Sequence, residues 1–289
     1  MNFKSEFQNR TDIINKWIDE LLPDDNGYHK IIFESAKYSV KAGGKRIRPL
    51  LLYSVCDMLG KNPNITKHFA CAVEFIHTYS LIHDDLPCMD NDDFRRGIPT
   101  NHKKYGEAIA LLAGDSLLTY AFNVASNSKT DSHITIKAIK EISNAAGMNG
   151  MIGGQVIDIK GAKNFDQLKT VYEMKTGALI KLSCYLGAIS ADANETQLSL
   201  INQFAENIGI AFQIKDDILD IESTNDILGK PVGSDEKRGI ITYVTLFGLD
   251  GAKEKLNYHT KIAKQSLSSF GKNSDFFMNL ADYLLERVK

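Results

Sequence analysis

Residues 83–97 read His83-Asp84-Asp85-Leu86-Pro87-Cys88-Met89-Asp90-Asn91-Asp92-Asp93-Phe94-Arg95-Arg96-Gly97. Five aspartates fall within ten residues, a proline sits among them, and two arginines follow at once. The stretch closes an apolar run whose Phe69/Val73/Ile76/Ile82 spacing predicts a helix. So much negative charge at the end of a buried helix is either a solvated terminus or a place that holds cations.

About 130 residues later the pattern recurs in Gln213-Ile214-Lys215-Asp216-Asp217-Ile218-Leu219-Asp220, again behind an apolar run, Ile208–Ile214. Asp216 and Asp220 are four apart, share a helix face and can hold one cation together. Asp84 and Asp90 are six apart, roughly 240° around a straight helix. Pro87 removes the backbone donor that would bond to His83, so the helix must break there. That break is expected to swing Asp90 back toward Asp84.

A solvated helix end accounts for one acidic cluster. Two are harder to explain, because unpaired carboxylates on adjacent buried helices repel and shift toward the protonated form. Hard cations remove the conflict. Oxygen ligands without Cys or His select Mg²⁺ or Mn²⁺, and Mg²⁺ is usually completed by substrate phosphates. A diphosphate between two carboxylate walls is the predicted guest. Its other side needs positive charge, offered by Lys45, Arg46 and Arg48 after Gly43-Gly44, by Arg95 and Arg96, and by Lys175 and Lys230.

The rest of the chain predicts the scaffold. Its 289 residues carry 34 Lys plus Arg against 36 Asp plus Glu, a net charge of −2 that gives no global pull toward nucleic acid or anionic membrane. Cys56, Cys71, Cys88 and Cys184 form no CxxC pair, which argues against a zinc site or disulfide framework and for reduced cytosolic thiols. The N-terminus lacks the apolar core of a signal peptide, and no run approaches the roughly 20 apolar residues of a membrane span. Alternating strand patterns are scarce and helical spacing is common. We therefore expect an all-α protein: one domain over 1–289, a helical bundle of about ten or more helices.

The motifs HDDLPCMDNDDFRRGIPTNH, GGKRIRP, GGQVIDI, KTGALI, FQIKDDILD and LGKPVGSDEKRG, in this order, resemble those of the trans-isoprenyl diphosphate synthases. The two extra residues in the first acidic motif, Pro87 and Cys88, place the resemblance nearest the bacterial farnesyl diphosphate-forming branch. It implies a homodimeric all-α fold around a deep central cavity; with the charge balance, thiols and hydropathy above, the expected setting is the cytoplasm, without nucleic-acid partners or stable membrane insertion. It also implies head-to-tail condensation of an allylic diphosphate with isopentenyl diphosphate, and three Mg²⁺ per active site, replaceable by Mn²⁺. By that likeness Asp84, Asp90 and Asp216 are the principal metal ligands, supported by Asp85, Asp217 and Asp220. Arg95, Lys175 and Lys230 contact the allylic diphosphate, while Lys45, Arg48, His77 and Arg96 hold isopentenyl diphosphate. Thr176 and Gln213 lie near the developing allylic cation, and carbonyls in a bent helix at Lys175 and Thr176 could soften it. Without the motifs, His77 would be read as a packed core histidine.

One position departs from the pattern: Ile240 stands where relatives often carry lysine, and Arg238 either supplies the lost charge or leaves a weaker allylic site. The C-terminal Arg287 is a further candidate for folding over a loaded site.

Chain length is read from the first acidic helix. Ser80 and Tyr79, four and five residues before Asp84, lie about 6–7.5 Å deeper along the helix. A bulky Tyr79 at that depth would make a floor, and by the resemblance relatives with a bulky ring here are C15 makers. The alternatives are core packing at Tyr79 and a C20 geranylgeranyl product. Three other classes compete: a terpene cyclase, which needs no site for a second anionic substrate; a non-catalytic subunit, which typically loses an acidic motif; and a plain cation-binding bundle, which leaves the arginines unexplained.

Overall fold

The computed structural model describes residues 2–222 and 241–286. The expectations placed on Lys230, Arg238, Ile240 and Arg287 lie outside these described residues. The all-α reading holds: regular structure among the described residues is helical apart from one two-stranded hairpin, Phe94–Arg95 paired with Ile98–Pro99. The chain forms two compact units, Met1–Tyr53 with Pro63–Ile139, and Ser54–Asn62 with Lys140–Lys289.

In order, the first seven helices are α1 (Phe3–Leu21), α2 (Lys30–Lys41), α3 (Ile47–Met58), α4 (Lys67–Asp84), α5 (Asn101–Tyr105), α6 (Glu107–Ser126) and α7 (Ser132–Ala146). α4 is the buried axis of the first unit. Phe69 through Ile76 are all sealed from water, as an apolar run without a polar stripe requires. Each buried Phe of this run contributes about 1.5–3 kcal/mol relative to exposure. α6 packs along α4, and its buried face includes Ala110, Ala113, Gly114 and Ala121, small residues that let two helices approach closely. By length and composition α6 is apolar enough to cross a membrane, which corrects the expectation that no segment would be. Less than half of that span is buried: its alanine-rich face is covered, Leu111 and Leu112 are exposed, and Asp115 stands in its middle.

The second unit continues with α8 (Met151–Lys160), α9 (Phe165–Val171), α10 (Ala178–Ser190), α11 (Glu195–Glu222), α12 (Tyr243–Ser266) and α13 (Asp275–Glu286). Between α9 and α10 the chain winds as a π-helix over Tyr172–Gly177. This is the bend expected at Lys175 and Thr176, and π-turns inside α-helices are frequent at functional sites. α10 is buried along nearly its whole length, from Leu179 to Ser190. α11, at 28 residues, packs against α10 and α12. α12 starts with a capping box in which Thr242 and Thr245 exchange hydrogen bonds, and it kinks at Gly248.

Candidate functional site

Pro87 does what its position predicts. α4 ends at Asp84, and the chain turns so that the Asp90 N–H donates to the Asp84 carbonyl at 2.8 Å. Met89 and Asn91 both donate to Leu86, at 2.8 and 3.1 Å, and Asn91 adopts a left-handed φ of 53°. The structure thus brings Asp84 and Asp90 together through the backbone, with Asp84 half-buried and Asp90 exposed.

The remaining aspartates of the stretch are largely matched by cations. Asp85, 3% exposed, receives Arg95 Nε at 2.7 Å and Arg95 Nη2 at 2.7 Å. Burial pushes the Asp85 carboxyl upward, with Arg95 pulling it the other way. Arg95 also lies 3.8 Å from Asp92, and Lys103 lies 2.7 Å from Asp93. The two arginines diverge because of the hairpin between them. Arg96 (φ 54°) and Gly97 (φ 80°) occupy its two-residue turn, where both central residues need positive φ. Arg95 is left facing Asp85, while Arg96 donates to the Gly43 carbonyl.

The GGKRIRP segment splits its cations. Arg46, offered above as a cation for the anionic guest, points into the core. It donates to Glu74 at 2.7 Å, to Val40 O at 2.7 Å and to Asn15 at 3.1 Å. Lys45 and Arg48 stay half-buried, and Arg48 Nη1 lies 3.3 Å from His77 Nε2. His77 is held well below its ordinary pKa, first by burial and then by the positive charges of Arg48, Arg96, Arg95 and Arg46. Its ring is neutral and able to accept from Arg48. Gly44 has φ +118°, and a Cβ there would sit 2.6 Å from the Arg96 guanidinium. Gly43-Gly44 therefore does more than supply flexibility, since it opens the space that Arg96 fills.

One turn deeper on α4, Tyr79 is 4% exposed and its hydroxyl is sealed with no hydrogen-bond partner among the described residues. Its phenol is pushed up to about 12, by burial first and by the charge of Asp84 second. Ser80 is half-buried and donates to the His77 carbonyl at 2.9 Å.

In the second unit, α11 and the π-turn assemble a chain of polar groups. The Thr176 hydroxyl donates to Gln213 Oε1 at 2.9 Å, and Gln213 Nε2 donates to Asp216 Oδ2 at 3.0 Å. The first bond orients the amide so that the second can form. Asp216, Asp217 and Asp220 are all half-buried, with Asp220 one turn beyond Asp216. Asp217 faces elsewhere: its Oδ2 accepts from the Tyr172 hydroxyl and, at 2.8 Å, from the Tyr243 N–H. Lys175 is paired with Asp158 of α8 at 2.6 Å. A Cβ on Gly154 would lie 2.3 Å from the Lys175 backbone nitrogen, which accounts for the second glycine of GGQVIDI.

Four residues gained no role from the sequence although they hold others in place. His83 reaches the Leu111 carbonyl of α6 at 3.0 Å, Asp158 pairs with Lys175, and Tyr172 and Tyr243 share Asp217. His83 and Asp158 lie inside quoted motifs, so their motif membership was the available signal. Tyr172 sits three residues before Lys175, which by itself signals nothing.

Asp84 with Asp90 in the first unit, and Asp216 with Asp220 in the second, offer only oxygen donors, the chemistry that suits Mg²⁺. Among the described residues no three His, Cys, Asp or Glu side chains form a ready cage. Mg²⁺ rarely needs one, since it takes one or two carboxylates and completes its octahedron with water and phosphate oxygens. The donors fit the ion.

Comparison with known proteins gives the family. The polyprenyl synthetase family model matches residues 29–274. A farnesyl diphosphate synthase of Geobacillus stearothermophilus is 46% identical over 257 residues, covering 87% of this chain and 85% of that protein. A chloroplastic geranylgeranyl pyrophosphate synthase of Capsicum annuum is 42% identical over 294 residues, covering 99% of this chain and 79% of that protein. An FPP/GFPP synthase from Zymomonas mobilis, solved in its apo form, superposes with a TM-score of 0.88 at 33% identity, covering 98% of this chain and 99% of that one.

Proposed function

Because this chain belongs to the polyprenyl synthetase family, we propose that it makes (2E,6E)-farnesyl diphosphate, joining isopentenyl diphosphate head to tail to dimethylallyl and then geranyl diphosphate. The observation that carries the reading is the return of Asp90 to Asp84 across the Pro87 break, beside a paired set of arginines.

Asp84, Asp90 and Asp216 would hold Mg²⁺, three ions per site, supported by Asp85, Asp217 and Asp220; Mn²⁺ would substitute. When bound, the ions neutralise the departing diphosphate and lower the barrier to ionisation. Arg95, Lys175 and Lys230 bind that diphosphate. Lys45, Arg48 and Arg96 bind the diphosphate of isopentenyl diphosphate, and neutral His77 adds a hydrogen bond there. The allylic carbon–oxygen bond breaks with its electron pair on diphosphate. The double bond of isopentenyl diphosphate then attacks the allylic carbon, and the proton lost afterwards goes to the released diphosphate. Thr176 and Gln213, locked to each other at 2.9 Å, present fixed dipoles near the positive charge. Apolar walls exclude water from it.

The whole chain, 1–289, acts as one catalytic domain in the cytoplasm, with small isoprenoid diphosphates as its ligands and with neither nucleic acid nor stable membrane insertion. A homodimer is the proposed assembly. In its support, Ile152, Val156 and Ile159 form an exposed apolar stripe along α8 at helical spacing, with Met148 exposed in the turn before it. The C20 product is the second reading, favoured only by relatives such as the Capsicum protein.

The test is incubation with dimethylallyl and isopentenyl diphosphates, with and without Mg²⁺, followed by chromatography of the dephosphorylated products. Metal-dependent consumption of isopentenyl diphosphate and a C15 alcohol are expected. A cyclised hydrocarbon from one substrate, or no turnover with Mg²⁺ present, would overturn the reading.

A further inference from the structure

The two neighbouring carboxylates of the second acidic motif point to different partners. Consecutive residues on α11 stand about 100° apart, so Asp216 and Asp217 cannot both face one ion in the same way. Asp216 shares its face with Asp220 and is met by Gln213. Asp217 faces Tyr172 and Tyr243.

We propose that Asp217 is a positioning residue, acting through Tyr172 and Tyr243 rather than as a ligand of Mg²⁺. The inference rests on the prenyl-transfer reading above, in which Asp216 binds the ion and Lys175 the diphosphate.

Three observations carry it. First, one oxygen, Oδ2, takes both donors, the Tyr172 hydroxyl and the Tyr243 amide. Both its lone pairs are taken, so coordinating an ion through that oxygen would cost at least one of the two hydrogen bonds. Second, both donors are sealed and fixed. Tyr172 is 6% exposed and Tyr243 is 2% exposed, and their rings stack at 5.6 Å and 22°. Phe165 and Phe247 pack on Tyr243, each with its ring centroid 5.6 Å away. Third, the two tyrosines sit where they control backbone. Tyr172 is the first residue of the π-turn that carries Lys175 and Thr176. Tyr243 is the first residue of α12, whose N-terminal amides lack partners within the helix and favour a carboxylate.

Asp217 therefore ties α11 to the start of α12 and to the start of the π-turn. On its other side the π-turn rests against Gly154, with no room for a Cβ. Held from both sides, the turn keeps Thr176 within reach of Gln213 and Lys175 within reach of anionic partners. A π-turn is a strained form of helix and persists where surrounding contacts enforce it.

The test compares Asp217→Asn, Tyr172→Phe and the double variant with Asp216→Asn as the metal-ligand reference. Tyr172→Phe keeps every carboxylate and folds even if an Asp217 variant does not. Two readouts are needed: steady-state kinetics across Mg²⁺ concentrations, and hydrogen–deuterium exchange of peptides covering 172–177 and 241–247. Tyr172→Phe is expected to raise KM for geranyl diphosphate about tenfold, the loss of one hydrogen bond to a charged group. Its Mg²⁺ half-activation concentration should stay that of the wild type, as should that of Asp217→Asn, and the double variant should be no worse than the poorer single one. Exchange should quicken in both peptides for Tyr172→Phe and stay unchanged for Asp216→Asn. An Asp217→Asn enzyme whose Mg²⁺ requirement rises like that of Asp216→Asn would overturn the proposal, as would a Tyr172→Phe protein with unaltered KM and exchange. If the wild type turned over no prenyl substrate, the functional reading would fail while the exchange data still judged the tie itself.

Discussion

Arg46 and Glu74 form an ion pair 2.7 Å long with side chains only 5% and 2% exposed. Arg46 adopts a left-handed φ of 49°, a strained conformation for a bulky residue, and its three hydrogen bonds hold it there. Breaking such a pair from one side strands a buried charge. Glu74→Gln should destabilise the protein by about 3–5 kcal/mol, read as a lower urea midpoint with an unchanged slope. Lys45→Ala, at the preceding, half-buried position, should stay within about 0.5 kcal/mol of the wild type. A Glu74→Gln variant as stable as the wild type would mean that the pair holds nothing.

Arg46 also shows where the sequence stops being readable. The return of Asp90 to Asp84 was legible because proline chemistry and helical geometry act within seven residues. The shared face of Asp216 and Asp220 was legible for the same reason, as was the all-helical fold, which follows from periodicity summed over long segments. Which arginine of GGKRIRP turns inward depends on Glu74, 28 residues away, whose burial no local pattern announces. The direction of Asp217 depends on tyrosines 45 and 26 residues away in the chain. The roles of Asp158 and Gly154 follow from the close passage of α8 by the π-turn. Local rules reach local geometry, and packing between distant segments decides the rest.

Gly44 should prove irreplaceable for binding rather than for folding. Its φ of +118° is one that L side chains rarely adopt, and an added Cβ would meet the Arg96 guanidinium at 2.6 Å. Gly44→Ala should displace Arg96 and raise KM for isopentenyl diphosphate about tenfold, equivalent to roughly 1.4 kcal/mol. KM for geranyl diphosphate should change less than twofold. Equal changes in both constants would show that Arg96 serves no single substrate.

His77 predicts a pH dependence with a definite sign. Burial first, and the surrounding arginines second, hold its folded pKa well below the ordinary 6.5. Below pH 6.5 the unfolded chain takes up a proton that the native ring refuses, so the unfolded state binds more protons and stability falls as pH drops. The contribution is fully present above pH 6.5 and is lost at no more than about 1.4 kcal/mol per pH unit beneath it. His68 and His259 are also lowered by burial, so the wild type alone cannot isolate the effect. Urea unfolding of the wild type and His77→Gln at pH 7.5, 6.5 and 5.5 does so by difference. The variant should lose less stability on acidification; identical slopes would mean that the native ring protonates as freely as the unfolded one.

Tyr79 separates the size of a side chain from its polarity. The ring is buried one turn or so below Asp84, packed edge-on against His83 at 5.7 Å, and its hydroxyl is sealed without a partner among the described residues. A buried hydroxyl left unsatisfied costs about 1–3 kcal/mol. Tyr79→Phe should therefore be neutral or stabilising by about 1 kcal/mol, seen as a raised melting temperature, and should leave the product at C15 because the ring proposed as the floor remains. Tyr79→Ala removes the ring and should shift the product to C20 and beyond, at a stability cost of about 3–5 kcal/mol for a large buried side chain. Chromatography of the dephosphorylated alcohols reads both variants. A C15 product from Tyr79→Ala would move the floor to another residue, and longer products from Tyr79→Phe would make the hydroxyl, not the ring, the element that ends elongation.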